Sequence, residues 1–144
     1  MDIQSVSNAH DCNPAQGARP VNPRRSAGTV RLFVYGTLMR GQPAHRLMRG
    51  ARLLGRIATP RGYTLHDLGP YPAAVRAGRG RIRGELYAIP PAMLRRLDAY
   101  ENCPAEYRRA TIATVFGRAW IYLYPCRPRR GHGLIHGDWR RRER

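Results

Sequence analysis

The apolar positions of this chain fall into short runs, each closed by glycine or proline. Val30-Arg31-Leu32-Phe33-Val34-Tyr35 is a β-branched and aromatic run that stops at Gly36, the signature of a buried strand. Pro43 opens a short helix that carries Leu47 and Met48 and closes at Gly50. Leu53 to Ala58, Tyr63 to Leu68 and Ala73 to Arg76 read as further strands, broken by Pro60 and by Gly69-Pro70-Tyr71-Pro72. Arg81 to Ile89 alternates, with Ile82, Gly84, Leu86 and Ala88 on one face and Arg81, Arg83, Glu85 and Tyr87 on the other. Pro90-Pro91 then starts a helix through about Glu101, ended before Pro104. Tyr107 to Phe116 and Ala119 to Tyr124 alternate around Gly117, as the two arms of a hairpin do.

Many short strands with two helices predict an α+β fold: one domain over 30–126, built on a small mixed barrel-like β-sheet with a few short helices. Residues 1–29 hold four large apolar side chains (Met1, Ile3, Val6 and Val21) among Ser, Asn, Pro and Gly. That composition does not offset the entropy of ordering, so a flexible leader is expected there. After Pro125 the chain turns rich in Pro, Gly and Arg, with apolar residues at Leu134, Ile135 and Trp139. A basic tail over 127–144, docked in part through 134–139, is the expectation.

With 144 residues and 42% hydrophobic content, the chain can bury a core of its own. Its 26 basic residues, all arginine, stand against 9 acidic ones for a net charge of +17. Such a surface binds polyanions non-specifically and in a salt-dependent way, and no specific nucleic-acid partner is expected. Three widely spaced cysteines (Cys12, Cys103, Cys126) with no C-x-x-C argue against a disulfide framework or a cysteine-built zinc site and fit a reducing cytosol. His132, His136 and Asp138 have metal-like spacing, but Gly131, Gly133 and Gly137 break any regular helix there, so no metal is expected. Cys103 has no motif-placed histidine to activate it as a nucleophile. The longest uncharged apolar-rich run, Leu32 to Met39, falls far short of the roughly 20 residues of a spanning helix. No export signal is evident, and a cytoplasmic protein with no membrane partner is expected.

One carboxylate stands in the wrong place. On a helical wheel begun at Pro91, Met93, Leu94, Leu97 and Tyr100 form the apolar stripe, and Glu101 falls between Leu97 and Leu94. An acid facing the core at a helix C-terminus is disfavoured by desolvation and by the macrodipole. Both effects raise its pKa, which is how a carboxylate becomes a general acid or base near neutrality. A frayed helix end would instead turn Glu101 into solvent. A second feature is the turn after the first strand: Tyr35-Gly36-Thr37-Leu38, then Arg40-Gly41, can aim backbone N–H groups at an anion. It is neither a P-loop nor G-x-G-x-x-G.

Together these segments resemble the γ-glutamylcyclotransferase-like (AIG2-like) family. Val34-Tyr35-Gly36-Thr37-Leu38 with Arg40-Gly41-Gln42-Pro43 is similar to its signature turn. Gly84-Glu85-Leu86-Tyr87, Leu97-Asp98-Ala99-Tyr100-Glu101-Asn102-Cys103-Pro104 and Tyr107-Arg108-Arg109 are similar to its second block. Trp120 to Tyr124 and Ile135-His136-Gly137-Asp138-Trp139 are similar to later segments, and the likeness is nearest to the γ-glutamylamine cyclotransferase branch. The resemblance implies cleavage of a γ-glutamyl amide by internal cyclisation, giving 5-oxoproline and a free amine. It implies that Tyr35, Gly36, Thr37 and Leu38 hold the glutamyl group and that Glu101 is the acid/base. The substrate's α-amine is then the nucleophile, and neither a metal nor an organic cofactor is needed. Backbone donors from Gly36 to Leu38 would bind the substrate carboxylate or the developing oxyanion.

Other residues compete with this set. Tyr107 and Tyr122 are candidate pocket walls that hydrogen-bond the substrate. Glu85, on the face shared with Arg83 and Tyr87, reads as a cross-strand ion pair, and Asp98 as a cap or a partner of Arg95. The positive surface disfavours a cationic leaving amine unless Glu85, Asp98 or Glu106 lines its exit. A catalytically silent ligand binder and a basic nucleic-acid-binding protein are the rival readings, and the sequence leaves the amine and the oligomeric state open.

Overall fold

The computed structural model describes residues 28–129, 131–134 and 136–142. The expected leader lies outside these residues except for its last two, Gly28 and Thr29, and Ile135 lies outside them as well.

Strand β1 (Val30–Val34) is the axis of the fold. It pairs antiparallel with β5 (Arg83–Ile89), Val30 opposite Ile89 and Val34 opposite Glu85, and parallel with β7 (Gly117–Leu123) at Leu32 and Trp120. With β2 (Arg52–Ala58) beyond β5 and β6 (Arg108–Thr114) beyond β7, the sheet runs β2-β5-β1-β7-β6. A smaller sheet, β4-β3-β8, is formed by β3 (Thr64–Asp67), β4 (Pro72–Val75) and β8 (His132–Gly133). The Tyr124 N–H donates to the Ala74 carbonyl at 2.7 Å, stitching the end of β7 to β4 and curling the two sheets around a shared core. Leu32, Phe33, Leu65, Ile82, Leu86, Ile89 and Ile121 are fully buried in it. The one α-helix among the described residues, α1 (Pro91–Tyr100), packs Met93, Leu94 and Leu97 inward, the stripe read from the sequence. Tyr100 departs from that stripe and stands 45% exposed at the helix end.

Three expectations change. The helix expected from Pro43 is a single 3-10 turn, His45–Met48, preceded by turns, because no side chain caps its start. On β5 the second face is not solvated: Glu85 and Tyr87 are buried beneath the 37–48 loop and the tail. The His45 ring lies 6.0 Å from that of Tyr87, and Arg140 reaches Glu85. Glu85 is thus paired across the fold with Arg140 and not across the strands.

The tail packs closely. Trp139, in a 3-10 turn at Trp139–Arg141, is 1% exposed. Gly137 permits this approach: it sits at φ 61°, and a Cβ on it would stand 2.0 Å from the Arg81 carbonyl oxygen. Its own carbonyl accepts the Arg83 N–H at 2.8 Å. No helix among the described residues is long and apolar enough to cross a membrane.

Candidate active site

β1 leads directly into a cavity of about 250 Å³. Tyr35, the first residue past the strand, donates its hydroxyl to the Tyr122 backbone carbonyl at 2.5 Å and so ties the loop to β7. Gly36 comes next because nothing larger fits: a Cβ there would meet Cγ of Pro72 at 2.4 Å and Cδ at 2.8 Å. The loop then turns back on itself, Met39 N–H donating to Gly36 O at 3.0 Å and Ala44 N–H to Thr37 O at 2.9 Å. Among the described residues, the N–H groups of Gly36, Thr37 and Leu38 have no backbone acceptor. Consecutive donors of this kind on a cavity wall suit a carboxylate or an oxyanion.

Glu101 is delivered to the same cavity by the way α1 stops. Asn102 adopts the left-handed conformation (φ 56°). Its N–H donates to Ala99 O at 3.1 Å and that of Cys103 to Asp98 O at 3.0 Å, the paired bonds of a Schellman cap. Glu101 N–H still donates to Leu97 O at 2.8 Å. The helix therefore does not fray at Tyr100, and Glu101 keeps its place on the inward side. Its side chain is half-buried, shielded by the fold. Desolvation pushes the carboxyl from 4.5 up to about 8, and the neighbouring charges of Glu106 and then Asp98 push the same way.

Three of the five tyrosines that line the same space, Tyr35, Tyr107 and Tyr122, are buried. Tyr107 donates its hydroxyl to Pro72 O at 2.7 Å and Tyr122 donates to Asp98 Oδ1 at 2.7 Å. Burial, then nearby ionisable groups, raises all three phenols (Tyr35, Tyr107, Tyr122) well above their ordinary range, so they stay neutral. Their protons point at protein acceptors, which fixes the three rings in place.

The cavity thus gathers Tyr35, Gly36, Thr37, Leu38, Glu101, Tyr107 and Tyr122, the residues singled out from sequence. It also takes in Phe33, Tyr71, Pro72, Tyr100 and Glu106. Tyr71 and Pro72 read as a turn, and a proline-flanked tyrosine was the one signal that could have marked them. Glu85 and Asp98 are not on its wall. Glu85 accepts Arg40 N–H at 2.9 Å and the Tyr87 hydroxyl at 3.0 Å. Asp98 lies 2.9 Å from Arg109 Nε, and Arg109 stacks 4.4 Å over Trp120, so this acid anchors Tyr122 and Arg109 in place of a pairing with Arg95 alone. Desolvation raises the Asp98 carboxyl against the opposing pull of Tyr122 and Arg109. Cys103 is disulfide-bonded, contrary to the reading of the cysteines as a set without a bridge, and so is not a free nucleophile.

The sequence profile described as “Gamma-glutamyl cyclotransferase, AIG2-like” matches residues 32–141. The chain belongs to this family. Among its relatives, the gamma-glutamylcyclotransferase family protein YtfP of Escherichia coli K12 is 43% identical over 116 residues, covering 80% of this chain and 100% of that one. Human gamma-glutamylaminecyclotransferase is 41% identical over 93 residues, covering 56% of this chain and 59% of the human one. The crystal structure of Pyrococcus horikoshii PH0828 superposes with a TM-score of 0.69 at 34% identity, covering 76% of this chain and 89% of that one. The family match in this gamma-glutamyl cyclotransferase homologue runs past residue 126 and takes in Trp139 and Arg140.

The Gly36 contact gives a direct test of the loop. Gly36→Ala is expected to lower ligand affinity or turnover about tenfold while the far-UV circular dichroism spectrum is kept, because the new methyl group must push Pro72 or the loop aside by about 1 Å to reach ordinary contact. A variant with wild-type kinetics would show that the loop position does not matter.

Proposed function

We propose that this family member is a γ-glutamylcyclotransferase that cleaves a γ-glutamyl amide of a primary amine, releasing 5-oxoproline and the amine, with Glu101 as general acid/base. The observation that carries the reading is the Glu101 carboxyl, which desolvation pushes up to about 8, lining the same cavity as Gly36, Thr37 and Leu38, whose N–H groups have no backbone acceptor among the described residues.

The glutamyl group enters with its α-amine as an ammonium. Glu101 in its carboxylate form takes one proton, and the freed nitrogen attacks the γ-carbonyl carbon to close a five-membered ring. The C=O electron pair moves to oxygen, and the loop N–H groups are suited to hold either that oxyanion or the α-carboxylate. When the oxyanion collapses, the bond to the leaving nitrogen breaks and Glu101 delivers the proton there. Over the reaction the α-nitrogen loses two protons and the departing amine gains two, so one carboxyl group carrying them in turn suffices. A group that must both take and give a proton works best with a pKa near the working pH, and such transfer contributes about 10²–10⁴-fold. The neutral phenols of Tyr35, Tyr107 and Tyr122 wall the space the glutamyl chain would occupy, and holding that chain folded adds an orientation gain of several kcal/mol, roughly.

Incubation with a panel of γ-glutamyl amides, with 5-oxoproline detected by mass spectrometry, tests the reaction. Formation of 5-oxoproline at a rate proportional to enzyme is expected; its absence from every amide would leave a ligand-binding member of the fold. The pH profile follows from the site. Only the carboxylate form of Glu101 can take the proton, so kcat/KM is expected to rise with pH along a limb centred near 8. A limb centred near 4.5 would remove the desolvated base from the scheme.

A further inference from the structure

The charge of the cavity runs against the charge of the chain. Basic residues outnumber acidic ones 26 to 9 over the sequence. Yet the described residues lining the cavity include two carboxylates, Glu101 and Glu106, and no arginine or histidine. Proton transfer accounts for Glu101. It does not account for Glu106, whose backbone N–H is fixed by Asn102 O at 2.8 Å and whose Oε2 accepts the Tyr71 hydroxyl at 2.9 Å. Among the described residues no arginine pairs with Glu106.

Position decides what it faces. The part common to all substrates is the glutamyl group, which belongs on the buried floor formed by Tyr35, Tyr107 and Tyr122. The variable amine must leave to solvent and so points at the rim. The rim carries half-buried Tyr71 and Glu106 and the 45% exposed Tyr100. Two aromatic rings beside one carboxylate form a surface that attracts an ammonium group and its alkyl stem.

We propose that Glu106, flanked by Tyr71 and Tyr100, recognises a positively charged leaving amine, so that the substrate class is the mono-γ-glutamyl amide of an amine bearing a second ammonium group. The inference rests on the cyclotransferase reading above. The arginine-rich exterior does not defeat it: exposed charges beyond about 8 Å are screened at physiological salt, whereas a rim carboxylate acts in short contact. A cation at Glu106 also couples to the chemistry. Glu106 contributes the largest neighbouring charge that pushes the Glu101 carboxyl up, so offsetting it makes Glu101 easier to ionise.

The test compares three substrates of one chain length: the γ-glutamyl amides of 1,4-diaminobutane, of n-butylamine and of 4-aminobutyrate. Wild type is expected to favour the diaminobutane amide over the butylamide by at least about tenfold in kcat/KM, with the 4-aminobutyrate amide poorest. Glu106→Gln should bring the ratio of the first two close to one. Glu106→Arg should favour the 4-aminobutyrate amide, an inversion that damage to the fold would not produce. The acidic limb should lie at lower pH for the diaminobutane amide than for the butylamide in wild type, and coincide for the two in Glu106→Gln. Turnover without cationic preference overturns this inference alone. So does a preference that survives Glu106→Gln, or an equal loss on all three amides, which would assign Glu106 to the glutamyl half. No 5-oxoproline from any amide overturns the reaction and the inference with it.

Discussion

Glu101→Gln is expected to cost at least about 10²-fold in turnover while making the protein more stable at alkaline pH. The amide is nearly isosteric with the acid, so the cavity keeps its shape, but it cannot take a proton from the α-ammonium or return one to the leaving nitrogen. The stability change follows from linkage. The carboxyl sits at about 8 in the folded chain against 4.5 in the unfolded one. Folding therefore favours the protonated form. Below 4.5 both states are protonated and Glu101 is neutral in its effect. As pH rises from 4.5 to 8, the unfolded chain ionises and the folded one does not, so stability falls throughout that window and stays low above it. At ~1.4 kcal/mol per pKa unit, tempered by the opening of the side chain to the cavity, the penalty is a few kcal/mol. Gln has no such dependence. Melting temperatures of the two proteins should coincide near pH 4 and separate by pH 9, with the variant higher. Parallel curves, or a variant turning over within a few-fold of wild type, would defeat the assignment of Glu101 as a desolvated acid/base.

Local signals carried the frame. The run ending at Gly36, the stripe Met93, Leu94, Leu97 and the hairpin around Gly117 each appear as a buried strand, a packed helix and a pair of antiparallel strands. The wheel also placed Glu101 correctly, because the Schellman cap at Asn102 extends helical geometry one residue past Tyr100. What sequence hid is what depends on distant segments meeting. The alternation of Arg81 to Ile89 implies one dry face, but the 37–48 loop and the tail cover the other, so Glu85 is buried. Tyr71, Pro72 and Glu106 join the cavity because β4 and the start of β6 converge on the Gly36 loop, which no short window reveals. The tail was hardest to read. Its glycines look like linker composition, yet Gly137 is what lets its backbone pack against Arg81.

That tail sets the second large effect. Ending the chain at Gly137 is expected to leave the domain unfolded or molten at 37 °C, although the removed segment looks like a polar, arginine-rich end. Trp139 is 1% exposed, and deleting a core aromatic costs about 3–5 kcal/mol. Arg140 Nη2 lies 3.1 Å from Oε2 of Glu85, whose side chain is completely buried, while that of Arg140 is one-third exposed at 33%. Its guanidinium also donates to Arg40 O and touches Met39 Sδ at 3.2 Å. Removing one partner leaves an uncompensated buried carboxylate, a loss of about 2–4 kcal/mol after allowing for that exposure. Against a total stability of about 5–15 kcal/mol for a domain, the two losses together leave little. Thermal denaturation of the 1–137 chain, Trp139→Ala and Arg140→Met separates them. Each point variant should melt well below wild type, and adding Glu85→Gln to Arg140→Met should recover part of that loss, since the neutral amide no longer needs a cation. A 1–137 chain melting within a few degrees of wild type would show that Trp139 and Arg140 rest on a fold that stands without them.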